Sequence, residues 1–168
     1  MGTLSERPLS GPQQLAGLIG WLALAYLAAA IGAIASINAA DFYDTLSQPD
    51  WAPPAWLFGP MWMTLYGLMG LAAWCAWRTP GARPALVLFM VQLALNALWS
   101  WLYFVWQWGA VSFVAVVLLW SLIAATTVMF WRLKPLAGVL LLPYLAWVGL
   151  ACALTFSTWQ RNPQILGG

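Results

Sequence analysis

Apolar positions in this chain form long runs, and the charged positions fall almost entirely between them. Five runs predict membrane-spanning helices, at about 14–36, 59–77, 84–106, 109–131 and 136–158. Such a helix needs about 20 apolar residues, because about 30 Å of hydrocarbon is crossed at about 1.5 Å per residue. The expected fold is all-α: a five-helix transmembrane bundle at 14–158 with short tails at 1–13 and 159–168. The connections at 78–83 and 132–135 are short and basic, and a tight turn is expected at 107–109. The connection at 38–58 is long, acidic, and rich in proline and aromatic residues.

Composition agrees with a lipid solvent. The chain is 64% hydrophobic and 6% charged, whereas globular domains carry about 25% charge. Ala33-Ile34-Ala35 resembles a signal cleavage site, but the apolar stretch before it is longer than the roughly 7–15 residues of a signal core. The first helix is therefore expected to be retained. Arg7, Arg78, Arg83, Arg132 and Lys134 fall on one side of a five-span topology, and Arg161 falls on the other with Asp41, Asp44 and Asp50. The positive-inside rule then places the N-terminus in the cytoplasm, and the C-terminus and acidic loop outside.

The spans also exclude chemistries. None carries Asp, Glu, Lys, Arg or His in its interior, whereas proton pumps, voltage sensors and most ion-coupled transporters depend on such groups. The one lysine lies in a loop, which argues against a Schiff-base chromophore. The absence of histidine removes the commonest haem ligand, and Cys75 and Cys152 lack the spacing of a disulfide framework or metal site. The net charge of +2 is dispersed and does not suggest nucleic acid. The deep polar groups are Gln92, Asn96, Ser100, Thr126 and Thr127. They can orient a ligand but cannot run acid–base chemistry at neutral pH.

The 14 tryptophans carry more information. Trp74, Trp77, Trp106, Trp108, Trp131 and Trp159 lie at span ends, where an aromatic belt at the headgroups explains them. Trp99, Trp120 and Trp147 lie too deep for that. On span three, Gln92, Asn96, Trp99 and Tyr103 recur at i, i+4, i+7 and i+11, which is one helical stripe. It reads either as a helix–helix contact with an interhelical hydrogen bond or as one wall of an aromatic pocket. Trp62 and Tyr66 on span two and Pro143, Trp147 and Ala151 on span five form faces with the same spacing of four. The small residues Ala28 to Ser36 of span one either let helices approach or leave room for a ligand. In the loop, Trp51-Ala52-Pro53-Pro54-Ala55-Trp56 should be stiff and extended, because paired prolines fix φ and lack N–H donors. It reads as an interfacial anchor or as a lid.

These motifs resemble the translocator protein family, which includes bacterial tryptophan-rich sensory proteins and the mitochondrial peripheral benzodiazepine receptor. The resemblance is carried by Trp51-Ala-Pro-Pro, Gly59-Pro60-Met61-Trp62 through Tyr66, Gln92 to Asn96 with Trp99, and Leu142-Pro143-Tyr144-Leu145-Ala146-Trp147. It runs in order from about Asp41 to Asn162. It implies a five-helix bundle, a homodimer through span three, and one ligand cavity per monomer closed by the first loop. The implied ligands are porphyrins and other flat hydrophobic molecules, with no cofactor required. The ligand-binding residues so implied, taken with the helical stripes and the loop, are Tyr43, Trp51, Pro53, Pro54, Trp62, Tyr66, Asn96, Trp99, Tyr103, Trp147 and Ala151. Two departures matter. Phe42-Tyr43 stands where bacterial relatives often carry Trp-Tyr, and 154–161 lacks the tyrosine of the mitochondrial sterol motif. Cholesterol is therefore not implied.

Three functions follow as expectations. The first is a receptor or carrier for porphyrin-like ligands with a regulatory or stress-response role. The second is an enzyme degrading bound porphyrin by light or oxidation, with Tyr43 and Trp147 as the reactive side chains. The third is a scaffold whose pocket only holds lipid.

Overall fold

The computed structural model describes residues 10–167, so Arg7 and most of the 1–13 tail lie outside the described residues. Five long helices dominate. The first, α1 (Gly11–Ala35), begins where the Ser10 N–H donates to Gln13 Oε1 at 2.9 Å, a capping-box bond. A short helix, α2 (Ala39–Thr45), follows within the loop that the sequence left without regular structure. Next come α3 (Ala55–Trp77), α4 (Arg83–Ser100), α5 (Gly109–Leu133) and α6 (Pro135–Arg161). A last short helix, α7 (Pro163–Leu166), ends the described chain.

Four of these segments are long and apolar enough to cross a membrane: α1, α4 with its continuation to Val105, α5 and α6. The exception among the five expected spans is α3. It is 23 residues long and has no charged residue, but its tryptophans, tyrosine, glycines and Pro60 lower its hydropathy. It also starts earlier than 59. Pro54 is extended (φ −65°, ψ 145°) and forms the stop, and the helix runs from Ala55. Pro60 is tolerated because it costs only a bond near the helix start.

Beyond Ser100 the chain widens into a π turn at Trp101–Val105, with the Trp106 N–H donating to Trp101 O, five residues back, at 2.9 Å. The expected tight turn follows, with Gln107 in the left-handed region at φ 56°. The C-terminal segment differs from the tail expected at 159–168. Residue 162 precedes a proline, which disfavours helical geometry there and ends α6. Pro163 then opens α7, which turns back so that Leu166 is fully buried beside Leu46 and Tyr103. Trp108 and Gly167 form an isolated bridge.

The core is built from α1, α3, α4, α5 and α6, with Phe89 stacked on Phe130 at 5.8 Å. Small residues permit close approach: a Cβ on Gly70 would lie 3.0 Å from Leu22 Cα. A buried chain of hydrogen bonds ties α3, α4 and α6. The Tyr66 hydroxyl donates to Asn96 Oδ1 at 2.7 Å, Asn96 Nδ2 donates to the Tyr144 hydroxyl at 2.7 Å, and Tyr144 donates to Gln92 Oε1 at 2.8 Å. This satisfies polar groups that would be costly in hydrocarbon.

The span-end tryptophans all keep part of their surface exposed. Trp106, Trp108 and Trp131 are exposed, and Trp74 is half-buried with its indole donating to Gln14 O at 2.9 Å. Trp120 is also exposed, at a mid-helix position, where its indole donates to Leu145 O at 3.2 Å across the α5–α6 contact. It is not among the walls of the cavity that Trp99 and Trp147 line.

Candidate ligand cavity

A cavity of about 410 Å³ lies between α1, α2, α3, α6 and the α4–π segment. This falls within the roughly 300–1,000 Å³ typical of ligand pockets. The helical stripes converge on it. Trp62 and Tyr66 from α3, Asn96, Trp99 and Tyr103 from α4 and its π turn, and Trp147 and Ala151 from α6 all line it. Tyr43 reaches it from α2. Both readings of the α4 stripe hold, because Gln92 is spent on a helix–helix bond while Asn96 joins that network and also faces the cavity. The small residues of α1 divide in the same way. Ala25 and Ala28 pack in the core, and Ala29, Gly32, Ala33 and Ser36 line the cavity.

Trp51, Pro53 and Pro54 are not among the walls. Trp51 is 51% exposed and its neighbour Trp56 is 72% exposed, so this segment presents its indoles outward. Pro53 takes part through its carbonyl, which accepts the Tyr43 hydroxyl at 3.2 Å. The cavity is closed instead by α2, through Tyr43, Ala39 and Ala40. Burial raises the Tyr43 pKa above its usual value, so the phenol is neutral.

Several fixings hold that cover in place. Gln48 Nε2 donates to Tyr43 O at 2.6 Å. Phe42 meets Tyr103 edge-on at 6.0 Å and Phe104 at 6.2 Å. The Asn162 amide pairs with Ser47 in both directions: the Ser47 N–H donates to Oδ1 at 2.8 Å, and Nδ2 donates to Ser47 O at 3.1 Å. Asn162 is 6% exposed and also donates to Thr158 O at 2.8 Å, so the C-terminal end of α6 grips the loop.

Of the wall residues outside the predicted binding set, three extend a stripe by one turn, and Ser100 among them was read from the sequence only as a deep polar group able to orient a ligand. Phe58 precedes Trp62 by four, Ser100 follows Asn96 by four, and Thr155 follows Ala151 by four. Phe58 was hidden because α3 was expected to begin at 59. It lies between Tyr43 and Trp147, with ring centroids 5.4 Å and 5.6 Å away. Among the described residues no Asp, Glu, Lys or Arg lines the cavity and no His/Cys/Asp/Glu cluster could hold a metal. The site offers apolar burial, aromatic faces and uncharged hydrogen-bonding groups.

The model of the TspO/MBR family matches residues 21–160. Protein CrtK of Rhodobacter capsulatus is 41% identical over 140 residues, covering 81% of this chain and 86% of its own. The tryptophan-rich sensory protein of Cereibacter sphaeroides is 37% identical over 146 residues, covering 84% and 92%. The human translocator protein is 37% identical over 132 residues, covering 76% and 78%. With four helices apolar enough to span and a family match over most of its length, this integral membrane protein belongs to the TspO/MBR family.

Proposed function

We propose that this protein is a membrane receptor or carrier that binds porphyrin-like, flat hydrophobic molecules in the cavity beneath α2. The observation that carries the reading is the set of walls: Trp62, Trp99 and Trp147 around an uncharged space. Stacking on indole combines large apolar burial with a preference for flat rings. Relatives named as sensory and translocator proteins favour a sensing or carrying role.

The same reading makes α3 the fifth span. Its 23 residues reach about 34 Å at about 1.5 Å per residue, enough for the hydrocarbon layer. The N-terminus is then cytoplasmic and α2 extracytoplasmic, in a bacterial cell membrane, following the basic loops. The same reading takes the protein as a homodimer through α4.

The test is a titration of the purified protein with protoporphyrin IX, read by tryptophan quenching, followed by flux measurement in liposomes. Saturable quenching without vectorial flux identifies a receptor, and saturable quenching with flux identifies a carrier. No saturable quenching refutes the porphyrin reading. New product bands on illumination would favour the degrading enzyme, in which Tyr43 and Trp147 would have to act across Phe58. Labelling of a Thr45→Cys variant only from the cytoplasmic face would refute the orientation.

A further inference from the structure

Most hydroxyls in these helices are spent on their own backbone. Ser36, Thr64, Ser121, Thr126, Thr127 and Thr158 each donate to the carbonyl four residues earlier, at 2.7–2.9 Å. This back-bonding is the usual fate of such groups in a helix. Ser100, Ser112 and Thr155 depart from it, and of these Ser100 and Thr155 face the cavity. Neither hydroxyl has a partner among the described residues, and both residues line the cavity. Thr155 is 2% exposed, so the little surface it keeps is withdrawn from lipid and bulk water. Next to Ser100, the Trp99 indole N–H is buried and also unpaired.

Both residues line the cavity at a level bracketed along each segment by two bonds: Tyr103 with Thr158 at 2.7 Å one turn beyond them, and Asn96 with Tyr144 at 2.7 Å before them. A buried polar group without a partner is costly, so one facing a cavity is an unfilled valence for whatever enters. With no charged side chain in the walls, a carboxylate at that level would be buried without a counter-charge.

We infer that Ser100 and Thr155 form a hydrogen-bonding notch that fixes one uncharged polar group, a carbonyl, ester or hydroxyl oxygen, of an otherwise apolar ligand. This rests on the reading of the cavity as a ligand site, and it names the chemistry that the site selects.

Two porphyrins test it on the full-length protein: protoporphyrin IX dimethyl ester, which carries ester carbonyls, and etioporphyrin, which carries only alkyl groups. Thr155→Val keeps the shape of the side chain and removes its hydroxyl. It should weaken the ester by about three- to ten-fold, the size of one neutral hydrogen bond, and leave etioporphyrin within about two-fold. Ser100→Ala should act in the same direction and supplies the comparison if Thr155→Val folds poorly. Equal weakening of both porphyrins, or an ester affinity untouched by either change, overturns the notch while leaving the cavity a porphyrin site. If the wild-type protein binds neither porphyrin, the cavity reading falls, and the notch falls with it.

Discussion

Replacing Asn162 should loosen the cover of the cavity more than it destabilises the bundle. In Asn162→Ala three hydrogen bonds disappear: two to the Ser47 backbone and one to Thr158 O. Three neutral bonds at about 0.5–1.5 kcal/mol each set an upper range of about 1.5–4.5 kcal/mol. The Ser47 groups can reach water once the loop swings away, so the local cost falls at the lower end, about 1–2 kcal/mol, or about 5- to 30-fold in the opening equilibrium. Hydrogen exchange of the 42–47 amides should accelerate by that factor while amides in α5 stay unchanged.

Asn162→Asp sharpens the test. One carboxylate oxygen still accepts from the Ser47 N–H, but the other faces Ser47 O and Thr158 O, where the amide had donated. These carbonyls disfavour the charged form, so the variant's carboxyl pKa is raised in the folded protein above its unfolded value of about 3.9. A raised pKa means that the folded state holds its proton longer. The lost protection should return as pH falls toward the unfolded value and fade as pH rises through the folded one. Exchange at 42–47 that matches wild type in both variants at neutral pH would refute the clamp.

Three further outcomes follow from the same geometry. Trp147→Leu removes a stacking face from the cavity wall and should weaken porphyrin binding by about ten-fold, or about 1.4 kcal/mol. Trp131→Leu, exposed and outside the cavity, should stay within about two-fold, and equal affinities in two folded variants would make Trp147 a packing residue only. Tyr144→Phe strips the fully buried hydroxyl between Asn96 and Gln92. It should cost about 1–3 kcal/mol in denaturant or SDS titration, for the two partners left unpaired, and a loss below about 0.5 kcal/mol would discount the network. Because no Asp, Glu, Lys or Arg among the described residues lines the cavity and burial raises the Tyr43 pKa, etioporphyrin affinity should be flat between about pH 6 and pH 9. A titrating step in that window would point to a charged group that the walls do not contain.

Much of this protein was legible in one dimension because a bilayer imposes one-dimensional rules. Span length follows from membrane thickness, and a stripe at spacing four stays on one face whatever it packs against. For that reason Trp62 and Tyr66, Asn96 with Trp99 and Tyr103, and Trp147 with Ala151 could be paired by helix before any contact was known. Their convergence on one cavity was decided by packing, since nothing in a single helix records which neighbour its stripe meets.

The misplaced details have the same origin. Trp51, Pro53 and Pro54 belong to a rigid aromatic segment in the sequence, but rigidity carries no direction, and in the fold the Trp51 and Trp56 indoles lie exposed while α2 lines the cavity. Residues 159–168 read as a short tail because each local feature, Asn162-Pro163 included, signals an ending. Only the tertiary fold shows that the chain restarts as α7, buries Leu166, and uses Asn162 to hold the loop at Ser47. The sequence by itself determined which residues share a face and which cannot sit in lipid unpaired. The tertiary structure decided which hydroxyls stayed unpaired, because a hydrogen bond between α4 and α6 depends on their register, and register is a property of the pair.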